Sequence, residues 1–117
     1  METIGFLFKH KKLEIHVKKL SFIGRYIGLM FSSKTKKALI FEFKEPSRRA
    51  IHSFFVFYDF LAIWLDKNNR VIDAKIVKPF NPFIMPEKPF KKLIEIPINQ
   101  NYEGITNIIV GWLETFK

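Results

Sequence analysis

Apolar and polar residues alternate along much of this chain, mostly with a period of two. In Leu13–Leu20, Leu13, Ile15 and Val17 fall on one side and Glu14, His16 and Lys18 on the other. That is the pattern of a half-buried strand. Thr3–Phe8 is a shorter apolar run, and His10–Lys12 reads as a turn, so the chain is predicted to open with a hairpin. Ala38–Phe43 alternates again, and Lys44-Glu45-Pro46-Ser47 is expected to interrupt it, because proline cannot donate to a ladder. Between them Ser21–Phe31 is ambiguous. Ser21 suits the cap of a short helix that Gly24 and Gly28 weaken, and Ser32–Lys37 reads as a polar loop or a helical turn.

The second half continues the pattern. His52–Asp66, HSFFVFYDFLAIWLD, is apolar on both faces and broken by Asp59. It is too short and too interrupted for a membrane-spanning helix, which needs about 20 apolar residues. It predicts two strand segments joined by a bend near Tyr58–Phe60, at least one of them central in a sheet. Asp66-Lys67-Asn68-Asn69 then predicts a hairpin loop, since asparagine tolerates positive φ. In Arg70–Lys78 the Asp73 and Lys75 side is expected to be mostly solvated. Pro79–Pro89 carries four prolines and reads as an ordered irregular loop anchored by Phe80, Phe83, Ile84 and Met85. Lys92–Ile98 is a further strand, Asn99–Thr106 a turn with at most one helical turn, and Asn107–Phe116 a closing strand. The sum is a single mainly β domain over residues 1–117. A β-sandwich or partly closed barrel of about seven short strands, with one or two short helices, is expected.

Composition narrows the function classes. The chain has 14 phenylalanines among 117 residues, which fills a small core with few side chains. It has no cysteine, so disulfides, thiolate chemistry and cysteine-based metal sites are excluded. METIGFLFKHKK lacks the layout of a secretory signal, and a soluble cytoplasmic protein is expected. The net charge of +9 is uneven: residues 1–50 carry 12 Lys or Arg against 4 acidic residues, and residues 51–117 carry 8 against 7. Lys11, Lys12, Lys18 and Lys19 are the candidate contacts for an anionic partner, with a solvated lysine-rich face as the plain alternative.

Candidate chemistry is sparse. His10, His16 and His52 have no close-spaced companion ligands, so no metal site is expected. No spaced carboxylate pair, Ser-His-Asp order, phosphate-cradling glycine loop or dinucleotide fingerprint occurs, and no cofactor is expected. Basic segments carry no ladder of aromatics for stacking bases. Asp59 reads as a turn residue or a binding carboxylate, and Asp66 as a hairpin residue. Arg25 has the geometry to bridge carbonyls or to hold an anion. A binding groove rimmed by Arg25, His52 and Asp59 is the expected site. The expected function is a non-catalytic binding or accessory domain for a small ligand or a protein partner. The alternatives are nucleic-acid binding through the basic first half, and an enzyme of unknown class.

Three blocks also carry a family resemblance. RYIGLMF, Arg25–Phe31, resembles an R-x-x-G-L-M-F motif. ALIFEF with HSFFVFYDFLAIWLDKNNRVI resembles a Leu-Phe-x-Phe strand and the block after it, in an archaeal form. KPFNPFIMPEKPFKKLIEIP resembles a proline-bearing loop and a Leu-Glu-Leu-Pro-like strand. In this order and over about residues 10–115, they resemble the domain-of-unknown-function 192 (DUF192) family. The resemblance implies a small, mostly β domain and no particular activity. This chain departs from the family at three places, the first being His52–Val56, where many bacterial members carry Trp-Met-Lys-Asn-Thr. The usual aspartate falls on Leu61 and the usual proline on Asp59, and the glycine after the Leu-Glu-Leu-Pro strand has only Gly104, in a shifted turn, to answer it.

Overall fold

The computed structural model describes residues 2–19, 37–48, 50–51, 56–81, 83–99 and 102–115. The opening hairpin forms as its alternation predicts, from β1 (Glu2–Phe8) and β2 (Lys11–Lys19). Phe8 pairs with Lys11, leaving Lys9 and His10 as a two-residue turn. Both take positive φ, at 48° and 70°, as the tight hairpin turn requires. Phe6, Phe8, Ile15 and Val17 turn inward and are buried.

β3 (Ala38–Ser47) lies parallel to β2, Val17 facing Ala38. A parallel neighbour cannot be reached by a tight turn. The expected interruption at Pro46 is a shift of register between Glu42 and Ser47, through which β3 continues. A bulge tolerates the missing donor there.

β4 (Phe60–Leu65) and β5 (Val71–Val77) form the second hairpin. Asp66 Oδ1 accepts from the backbone N–H groups of Asn68 (2.8 Å) and Arg70 (3.0 Å), and Asn69 supplies a φ of 60°. β6 (Phe90–Pro97) inserts between β3 and β4, antiparallel to both. The order in the single sheet is β1-β2-β3-β6-β4-β5. It curls into a half-barrel, the partly closed form of the two expected. At one corner its edges meet, where Leu7 N–H donates to Asn69 O at 2.8 Å. Asn69 fastens that corner: its Nδ2 donates to Gly5 O (3.2 Å) and its Oδ1 accepts from Lys92 Nζ (2.7 Å).

The closing segment is a helix, α1 (Glu103–Thr115), where a strand was expected over residues 107–116. Its β-branched residues favour strands. Burial overrides that bias: Ile105, Ile109, Trp112 and Leu113 recur at helical spacing and pack on the inner core. Gly104 lies in the first turn of α1 and not in a loop. Tyr102, just before α1, fixes the helix to the sheet, its hydroxyl accepting from Ala38 N–H at 2.7 Å and donating to His16 O at 3.3 Å.

The sheet thus separates two apolar clusters. The inner one holds Leu61, Ile63, Ile94, Ile96 and α1. The outer one holds Leu39, Phe41, Phe60, Ala62, Trp64 and Leu93, with Val56, Tyr58 and Ile84 laid over them from the flanking segments. Ile51 and Ile84 form an isolated antiparallel bridge beside it. In the proline loop Ile84 is buried, whereas Phe80 and Phe83, expected as anchors, are 49% and 63% exposed.

Candidate functional site

β6 reads Phe90-Lys91-Lys92-Leu93-Ile94-Glu95-Ile96-Pro97. Alternation sends Ile94 and Ile96 into the inner core and puts Leu93 and Glu95 on the outer face. Glu95 therefore stands in the middle of an apolar wall. Leu39 faces it on β3 and Ala62 on β4, both fully buried. Glu95 is itself 7% exposed. Among the described residues none donates a hydrogen bond to its carboxyl. Burial alone pushes that carboxyl from its ordinary 4.5 up to about 8, so it is neutral at pH 7.

A second polar group lies beside it. Trp64 pairs with Leu93, one step along the face from the Ala62–Glu95 pair. Such diagonal neighbours have backbones about 7–8 Å apart, within reach of long side chains. The Trp64 Nε1–H is buried and has no acceptor among the described residues. An unpaired buried donor costs about 1–3 kcal/mol, so two such groups side by side are an unusual expense in a core this small.

β5 closes the row. Lys75 faces Ala62, and Asp73 faces Trp64. The Lys75 ammonium donates to Met85 O, lies 3.8 Å from Asp73 Oδ2 and stands 5.9 Å from the Trp64 ring centre. Asp73 accepts from Ala74 N–H (2.8 Å) and from Glu87 N–H (3.1 Å). This side of β5 was expected to be mostly solvated. Instead the Asp73 side chain is only 14% exposed, because the proline loop folds over it and is tied down by both residues.

Of the residues singled out from sequence, Arg25 and His52 lie outside the described residues. Asp59 lies one position before β4, where its Oδ2 accepts from Lys78 Nζ at 2.7 Å and its backbone oxygen from Ile98 N–H at 3.3 Å. Lys11, Lys12 and Lys18 are exposed on β2, which ends at Lys19, whose side chain is outside the described set. Glu14 and His16 stand between Lys12 and Lys18, and His16 Nδ1 lies 3.1 Å from Thr3 Oγ1. Among the described residues no three His, Asp or Glu side chains converge as metal ligands. Nor is any helix there long and apolar enough to cross a membrane.

Sequence reasoning passed over Glu95 and Trp64. The signal for Glu95 was an acidic residue inside Leu93–Ile96, a run otherwise apolar on both faces of a strand. Trp64 offered none, because an indole whose N–H lacks a partner reads the same as any core tryptophan.

The family model of DUF192, described as an uncharacterized ACR, matches residues 6–105. The chain is 31% identical to the UPF0127 protein of Thermococcus kodakarensis over 99 residues, 81% of this chain and 62% of that protein. It thus spans less than two thirds of that relative. It is 34% identical to a UPF0127 protein of Pyrococcus furiosus over 92 residues, 76% of this chain and 78% of that one. A Pyrococcus horikoshii UPF0127 protein is 39% identical over 79 residues, 66% of this chain and 67% of that one. Two solved structures share the fold. One, of a protein of unknown function from Novosphingobium aromaticivorans, has a TM-score of 0.69 at 14% identity, covering 81% of this chain and 71% of that one. The other is from Sinorhizobium meliloti, named as a proposed transcription regulator, with a TM-score of 0.71 at 11% identity over 88% of this chain and 83% of that one. The family match over residues 6–105 agrees with the three motif blocks, and the chain belongs to the DUF192 family.

Proposed function

We propose that this chain is a non-catalytic binding domain for a small ligand, and that Glu95 and Trp64 are the groups that recognise it. One observation carries the reading. The buried Trp64 Nε1–H lacks an acceptor among the described residues, and Glu95, 7% exposed, stands a diagonal step from it in register, in a wall otherwise built of Leu39, Phe60, Ala62 and Leu93. Ligand sites are mostly apolar, with a few placed polar groups that fix orientation. Among the described residues, the charged groups that face the pair from β5 are already engaged. Asp73 is held by two backbone N–H groups and Lys75 by a backbone carbonyl. Arg25, His52 and Asp59 are proposed as further contacts from elsewhere in the chain.

The test is a fragment screen by nitrogen-correlated NMR, with the two indole signals assigned through W112F. Small molecules with an apolar body and one polar head are expected to move the Trp64 Nε1–H signal, and to lose that effect in E95L. Hits that bind E95L as well as wild type, or a screen in which the Trp64 signal never moves, would remove the reading.

A further inference from the structure

We infer that residues 83–89 of the proline loop form a strap that lifts off the outer wall as a unit and uncovers Trp64. The inference rests on the binding-domain reading for its purpose, since it supplies a closed wall with a way in. The opening itself is argued from how the strap is held.

The strap lies over Trp64 because its anchors flank that residue. Asp73 faces Trp64 across the β4–β5 ladder and accepts from Glu87 N–H at 3.1 Å. Lys75, two positions along β5, donates to Met85 O while its ammonium stands 5.9 Å from the Trp64 ring centre. Just past β3, Arg48 Nε donates to Pro86 O at 3.0 Å. Ile84 exchanges two backbone hydrogen bonds with Ile51, each of 2.8 Å. In every one of these bonds the strap contributes a backbone atom.

Its apolar grip is small. Among residues 83–89 only Ile84 and Pro86 are buried, and Phe83 is 63% exposed. β4 beneath it is buried at all six positions, Phe60–Leu65. A segment held by polar ties near the surface, with few buried apolar side chains, opens well before such a strand does. Pro86 and Pro89 stiffen the strap, so that it moves as a body and does not fray residue by residue. Just upstream, Phe80 holds a φ of 60°, an outlier for so bulky a residue. That is the hinge position, where a change of backbone angle relieves strain. Opening also relieves Trp64. Its buried N–H has no acceptor among the described residues, and in the open form water supplies one.

Native-state hydrogen exchange of the full chain, in low and rising denaturant, tests this without any ligand. The amides of Ile51, Ile84 and Glu87 are expected to share one opening constant, insensitive to denaturant and at least tenfold larger than that of the β4 and β6 amides. The Trp64 Nε1–H, assigned through W112F, is expected to exchange with the same constant. K75M removes one charged tie and is expected to raise all four signals about tenfold while β4 and β6 stay as they were. If K75M speeds β4 and β6 as well, R48M, at an exposed side chain, gives the same test. Strap amides that exchange only with β4 and β6 overturn the inference. So does a Trp64 Nε1–H that stays protected with β4 while the strap opens, or a variant that leaves the strap's constant unchanged. The fragment screen fails or succeeds independently of these measurements.

Discussion

Glu95 makes the fold sensitive to pH in an unusual direction. Its carboxyl is raised from 4.5 to about 8 in the folded chain. Between those values the native state holds a proton that the unfolded state has released. Stability therefore falls as pH rises across that window and levels off above it. The group's contribution is fully present below pH 4.5 and lost by about pH 8, an effect on the order of several kcal/mol. Urea melts at pH 5 and pH 8 are expected to show the wild type clearly weaker at pH 8, and E95L flat across the window. At pH 8, E95L is expected to exceed the wild type by about 1–3 kcal/mol, since it removes a buried group that has no partner. A wild type equally stable at both values would mean that Glu95 is hydrated or paired in solution. Asp66 acts in the ordinary direction. Its burial raises the carboxyl's pKa, but the N–H groups of Arg70 and Asn68 and the Arg70 guanidinium outweigh this and hold it below the usual value. D66A removes two turn-closing hydrogen bonds and is expected to cost about 1–2 kcal/mol in denaturant melts.

The elements differ in how plainly they could be read. The β1–β2 and β4–β5 hairpins were legible because each side chain's face follows from a period of two and each turn carries a residue suited to positive φ. α1 was not. Ile105, Thr106, Ile108, Ile109 and Val110 have the composition of a strand, and only the sheet's open inner face decides that Ile105, Ile109, Trp112 and Leu113 are buried together. G111A tests this element directly. Gly111 is exposed in α1 with open space where a methyl group would stand. Alanine there is expected to raise stability by about 0.5–1 kcal/mol, the difference in helix propensity. No gain would argue for a frayed end. I109A is expected to cost about 2–5 kcal/mol, since Ile109 is fully buried between helix and sheet. The candidate site was illegible for a related reason. The pairing of Glu95 with Ala62, and of Leu93 with Trp64, joins residues about thirty positions apart, and no local pattern records that register.

At the scale of the molecule, the charge is loosely spread over the described surface. On the outward side of β2, Glu14 and His16 separate Lys12 from Lys18. Gel retardation with single-stranded RNA at low salt is expected to give no discrete complex, whereas a shift that weakens steeply with salt would restore the nucleic-acid alternative. The strand order has a different consequence, which concerns synthesis. β1-β2-β3 and β4-β5 are each contiguous in sequence, yet β6, made after all of them, is the wedge that joins β3 to β4. Until residue 97 has left the ribosome, the described strands form two half-sheets, hydrogen-bonded to each other at the Leu7–Asn69 corner, with the edges of β3 and β4 that β6 covers still open. A nascent chain stalled near Pro89 should thus be a natural client for a chaperone, and β6 is what releases it.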